Sequence, residues 1–194
     1  MGEKLKILIT GAGGFVGMAL FKRLSPYRPI GITYKASRLY KNMLELDLRD
    51  SNRVENLFQA VNPDIVFHFA ALTNPEVNEK NKSLADQSNI GITKNIVSNI
   101  RDDMQLVYHS TDKVFDGVHP FPSGDTNPNP NNYHGKLKAK CETIIKNNVQ
   151  RFHILRLSVI HSNVNIPLIS ANRGPGSFID YAIKQLEKGY KVTA

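Results

Sequence analysis

The stretch ILITGAGGFVG, residues 7–17, limits the folds open to this chain more than any other. An apolar strand runs into a turn carrying Gly11, Gly14 and Gly17, and a helical pattern follows at once. A strand that turns straight into a helix must send the chain back along the sheet, so its next strand is expected to lie parallel. Glycine at the turn lets backbone approach a ligand closely, and the free N–H groups of a helix start favour an anion there. The spacing is GxxGxxG, a variant of the GxGxxG dinucleotide fingerprint that works by the same physics. A nucleotide held by its pyrophosphate is therefore the expected ligand of this turn.

Charge supports that reading. The 194 residues carry a formal net charge of +8, and no acidic residue occurs from Lys4 to Leu44. Lys4, Lys6, Lys22, Arg23, Arg28, Lys35, Arg38 and Lys41 supply the whole excess, because the remaining 17 basic residues are balanced by 17 acidic ones. An excess confined to the neighbourhood of one glycine turn suits a discrete phosphate-bearing ligand rather than a nucleic-acid track. The second strand would end near GITYKASR, where a carboxylate would grip the 2′-hydroxyl of NAD. Lys35 and Arg38 stand there with no acid, which favours NADP(H) over NAD(H).

Apolar runs alternate with helical patterns along the chain, as expected for an α/β protein with a parallel sheet and helices on both faces. Strands are predicted near 5–10, 30–34, 43–46, 65–69, 105–110 and 153–157. Helices are predicted near 14–24, 51–60, 76–100, 133–147 and 177–188, and GYKVTA at the end resembles the start of another strand. The segment 119–132 holds Pro120, Pro122, Pro128, Pro130, Gly124 and four asparagines, the composition of a functional loop at a sheet edge. No run is long and apolar enough to span a bilayer, and the amino terminus lacks a signal-peptide pattern, so a cytoplasmic protein without membrane partners is expected. The single cysteine, Cys141, reads as a packing residue, and His68 within IVFHFA as a core histidine. No histidine–carboxylate cluster has metal-ligand spacing.

Together the motifs resemble the extended short-chain dehydrogenase/reductases, and within them the dTDP-4-dehydrorhamnose reductase group. The carriers are GAGGFVG, ELDLRD with Asp47, PDIVFHFAALT, Asn89, HSTDKVFDG, YHGKLKAKCE and ILRLSVI. The resemblance implies a Rossmann-type doubly wound sheet over residues 1–194, with the start of a substrate-binding region from about 160. It implies a pyrophosphate site at Gly11, Gly14, Phe15, Val16 and Gly17, and Lys35 and Arg38 at a 2′-phosphate. Asp47 and Leu48 would line the adenine site, and Ala70, Ala71 and Thr73 the route to the nicotinamide ribose, with Asn89 and Ser110 also on the cofactor side. Thr111 would polarise the reacting carbonyl and Lys138 would bind the ribose and tune the acid. The implied reaction is reduction of the 4-keto group of a dTDP-linked 6-deoxysugar by NADPH, in cell-surface polysaccharide synthesis.

Two departures qualify the resemblance. The family continues well past this length with residues that build the sugar pocket, so a second chain, as in a homodimer, is one way to complete it. The family also places tyrosine four residues before lysine, whereas this chain has His134 there and Tyr133 one place earlier. At about 100° per residue, His134 lies about 40° from Lys138 around a helix and Tyr133 about 140° away. A regular helix favours His134 as the lysine's neighbour, and a slip in the first turn would bring in Tyr133. Three readings stay open at this point: Tyr133 as the acid, His134 as the acid, or no efficient reduction. Lys113 stands where the family usually shows an aromatic residue, available to a substrate diphosphate or merely to solvent. The competing function is a non-catalytic NADP-binding subunit such as the regulatory β subunit of methionine adenosyltransferase, of the same fold family. An epimerase or dehydratase fits STDKVFDG less well.

Overall fold

A computed structural model describes residues 5–35, 42–118, 122–158 and 160. The predicted helix near 177–188, the strand start at GYKVTA and Arg38 lie outside them. Six strands are described: β1 (Ile7–Thr10), β2 (Ile30–Thr33), β3 (Met43–Glu45), β4 (Ile65–His68), β5 (Gln105–Thr111) and β6 (Phe152–Leu157). They form one sheet in the order β3-β2-β1-β4-β5-β6, with every pairing parallel. The order reverses between β1 and β4, so the carboxyl ends of these two strands flank the crevice where such sheets bind ligands.

The central strand β1 is buried along its whole length, as a strand covered on both faces must be. One face packs Ile7, Ile9, Met18 and Phe21 beneath helix α1 (Phe15–Arg23). The other packs Leu8, Val66, Leu106 and Tyr108 against α2 (Ser51–Val61), α5 (Ile92–Val97) and α6 (Tyr133–Asn148), through Phe58, Ile96, Cys141 and Ile145. Cys141 is fully buried, in keeping with its expected packing role. His68 is also fully buried, and its ring nitrogens bond the hydroxyls of Thr10 at 2.9 Å and Thr93 at 3.1 Å. Among the described residues no helix is long and apolar enough to cross a membrane.

The helix expected over 76–100 is broken. Instead there are α3 (Pro75–Lys80), α4 (Lys82–Asp86), a π-helical turn (Gln87–Gly91) and α5. Asn81 stops α3 and its side chain caps α4 by accepting from the Leu84 N–H at 3.0 Å. Asn89 sits in the wide turn and donates to the Ala85 carbonyl at 2.8 Å. Short amide side chains compete for backbone groups in this way, which a count of apolar periodicity does not register.

A buried polar anchor ties α6 to the sheet. Glu142 is 1% exposed, accepts from Ser110 Oγ on β5, and is gripped by Arg156 on β6 with Nη2–Oε2 at 2.7 Å. Arg156 also donates to the carbonyls of Gly124 and Thr126, at 3.1 and 2.8 Å, and so holds the proline-rich loop to the sheet. Removing the cation would leave a buried carboxylate uncompensated. Arg156→Met is therefore expected to destabilise the fold by about 3–5 kcal/mol in urea unfolding. Adding Glu142→Gln should recover most of the loss, and equal stability of Arg156→Met and wild type would contradict the anchor.

Candidate active site

The turn after β1 is built on backbone contact. A Cβ placed at Gly17 would collide with the Gly11 carbonyl, and one at Gly11 would lie 2.6 Å from the Ala70 nitrogen at the end of β4. The start of α1 thus rests directly on the turn, and the turn rests on the neighbouring strand at the switch point. Helix α1 begins at Gly14 with no side-chain cap and no acidic residue in its first turn. Its positive end is open to an anion, with Phe15 and Val16 half-buried beside it. These features fit the pyrophosphate of a dinucleotide.

At the same edge of the sheet, two strands away, β5 ends in Thr111. Its Oγ1 donates to Asp112 at 3.1 Å and accepts from the Lys113 N–H at 3.2 Å. Helix α6 starts close by, capped by Asn132, which accepts from the Gly135 N–H at 2.8 Å. Gly135 is required there, because a Cβ would collide with the carbonyl of Lys113. One turn on, Lys138 is 4% exposed. Its Nζ donates to the His109 carbonyl at 2.7 Å and lies 4.7 Å from the centre of the Tyr108 ring. Burial drives its pKa down to about 8.

The two rings of the first turn part company. The Tyr133 hydroxyl donates to Asp86 Oδ1 at 2.6 Å, and the ring receives Lys82 Nζ at 5.2 Å from its centre. The bond to the Asp86 carboxylate pushes its pKa up to about 12. His134 faces the other way, toward Lys138 and a cavity of about 310 Å³ lined also by Pro75, Asp112, Lys113, Phe115 and Asn132. Its pKa is held down to about 4, chiefly by burial and next by the Lys138 charge, against a smaller opposing pull from Asp112. The 40° and 140° offsets read from the sequence describe this division. Lys113 is exposed at the cavity wall.

The remaining expected cofactor residues lie along the same edge. Ala70 and Ala71 are half-buried and Thr73 is exposed. The Leu72 carbonyl between them accepts from buried Asn78 and buried Asn89, at 3.1 and 3.4 Å. Leu48 is buried, Lys35 is exposed beyond β2, and Ser110 serves the Glu142 anchor. The Asp47 carboxylate is engaged by Arg49, with Nε–Oδ1 at 2.9 Å, and Arg49 lies 5.6 Å over the Tyr34 ring. Sequence reasoning overlooked Arg49, although its place two residues after Asp47 was a local signal. It also overlooked Asn78 and Asp86, which are more than 40 residues from the rings they hold and carried no signal.

The lowered pKa of His134 has a consequence for stability. The unfolded chain takes up a proton near pH 6.5 and the folded chain only near 4, so stability falls as pH drops through that window. The unfolding free energy of wild type minus that of His134→Gln should therefore decline between pH 6.5 and 4, measured by urea titration. A difference that stays constant there would contradict the burial of an uncharged imidazole.

Known proteins resemble this chain in sequence and fold. Methionine adenosyltransferase 2 subunit beta of Rattus norvegicus is 31% identical over 162 residues, 82% of this chain and 48% of the relative. The structure of a dTDP-4-dehydrorhamnose reductase from Bacillus anthracis in complex with NADP is 27% identical, with a TM-score of 0.77, covering 96% of this chain and 61% of that one. A hypothetical dTDP-4-dehydrorhamnose reductase from Sulfolobus tokodaii is 32% identical, with a TM-score of 0.81, covering 97% of this chain and 64% of that one. This chain spans about half the length of the curated relatives it matches. Residues 5–170 match the RmlD substrate binding domain, and the chain belongs to that family.

Proposed function

We propose that this chain binds NADP(H) at the β1–α1 turn and reduces the 4-keto group of a dTDP-linked 6-deoxysugar. The observation that carries the reading is that helix α6, bearing His134 and Lys138, starts against the turn after β5, the strand that ends in Thr111, two strands from a glycine turn that fits pyrophosphate. The similarity to a reductase solved with NADP supports the cofactor. Lys35 beyond β2 and Arg38 favour the 2′-phosphate form.

Gly11, Gly14, Phe15, Val16 and Gly17 would hold the pyrophosphate, Ala70, Ala71 and Thr73 the nicotinamide side, and Lys138 the ribose. When bound, the reduced nicotinamide supplies the hydride that the carbonyl carbon accepts. Thr111 polarises the carbonyl oxygen as charge develops on it. The proton that completes the alcohol comes from the first turn of α6. There His134 is the ring on the lysine's side, whereas Tyr133 is committed to Asp86. Lys138, one turn along the same face of α6 and with its lowered pKa, is placed to return a proton to that ring.

A second reading, a non-catalytic NADP-binding subunit, is favoured by one observation. Tyr133 is bonded to a carboxylate and His134 is uncharged at neutral pH, so neither ring is a strong proton donor. The similarity to methionine adenosyltransferase 2 subunit beta accords with it. NADPH oxidation with dTDP-4-keto-6-deoxymannose separates the two. The reductase reading expects turnover that falls about 100-fold or more in His134→Ala and survives in Tyr133→Phe. NADPH binding without turnover in the wild-type protein would favour the subunit.

A further inference from the structure

Asn78, on α3, is fully buried between the loop after β4 and the first turn of α6. Its side-chain nitrogen makes two bonds, to the Leu72 carbonyl at 3.1 Å and to His134 Nδ1 at 3.2 Å. The orientation of the amide follows from the first bond, since a carbonyl oxygen accepts only from the NH₂ end. An NH₂ group has no lone pair to offer, so His134 Nδ1 must be the acceptor in the second. The hydrogen of the neutral ring therefore resides on Nε2, on the edge remote from Asn78, while His134 lines the cavity beside Thr111's neighbour Asp112. The Leu72 carbonyl is held from a second side by Asn89, which fixes the loop on which Asn78 depends.

We propose that Asn78 is a positioning residue that locks His134 as an uncharged Nε2–H donor, aimed at the substrate's carbonyl oxygen. The groups that face the ring agree with an uncharged form. Burial disfavours the charged form most, Lys138 on α6 opposes a second positive charge, and Asp112 on the turn after β5 only partly offsets these; Lys113 and Asp116 also line the cavity. A neutral imidazole can stabilise a developing alkoxide by its N–H without being a strong acid. This explains how a histidine can stand beside a buried lysine at the place where the resembled family keeps a phenol. The donor's role rests on the reductase reading, whereas the tautomer does not.

The test is the ¹⁵N spectrum of the ring nitrogens in histidine-labelled protein, with His134 assigned by comparison with His134→Gln. At pH 7 the expected wild-type pattern is a protonated, pyrrole-type Nε2 and an unprotonated, pyridine-type Nδ1, unchanged until the pH approaches 4. In Asn78→Asp the carboxylate can only accept, so the two signals should exchange character. The ring pKa should also rise by roughly 1 to 3 pH units, as expected beside an opposite charge. Asn78→Leu should leave a mixture of tautomers. A protonated Nδ1 in the wild type, a doubly protonated ring at pH 7, or an Asn78→Asp spectrum identical to wild type would each overturn the assignment. If Asn78→Asp does not fold, the wild-type spectrum still decides. The predicted spectrum in a protein that binds NADPH without turnover would sink the reductase reading and leave the tautomer standing.

Discussion

The site rests on two places where a helix start touches backbone with no side chain between. Gly17 brings α1 onto the Gly11 carbonyl, and Gly135 brings α6 onto the Lys113 carbonyl. Interiors are packed too densely for either helix to shift by the width of a methyl group without displacing its neighbours. The first contact exposes an uncapped helix end at the switch point of the sheet. The second sets the depth at which His134, Lys138 and Glu142 enter. With these two contacts fixed, the carboxyl edge between β1 and β5 has little freedom left, and its chemistry follows from which side chains the helices present.

Helix α6 presents an unusual row. Residues four apart share a face, so His134, Lys138 and Glu142 lie in line along one side of it. Lys138 and Glu142 are almost wholly buried, and each charge is met on β5 or β6: the cation by the His109 carbonyl and the Tyr108 ring, the anion by Ser110 and Arg156. Buried charges survive only with such partners. Along the row Glu142 is held by Arg156 and Ser110, while burial lowers the pKa of Lys138 and that of His134.

Much of this was legible in the sequence. Strands such as KILIT and IVFHFA carry apolar residues on both faces, so their place between helix layers followed from the sequence pattern. Helix geometry favoured the division between His134 and Tyr133 but left a slip in the first turn open, and α6 is helical from Tyr133 onward. The break at Asn81 was hidden because a cap is a matter of one hydrogen bond, not of periodicity. The grip of Asn78 on His134, of Asp86 on Tyr133 and of Arg156 on the loop carbonyls was hidden for another reason. Each joins residues far apart in the chain, and polar side chains of these types are common on any surface.

A nicotinamide dinucleotide seated on the β1–α1 turn is the premise on which both functional readings stand. Isothermal titration calorimetry of the 194-residue protein with NADPH, NADP, NADH and NAD tests it most directly. Saturable binding with one site per chain is expected, tighter for the two phosphorylated forms. No heat and no saturation with any of the four would contradict it.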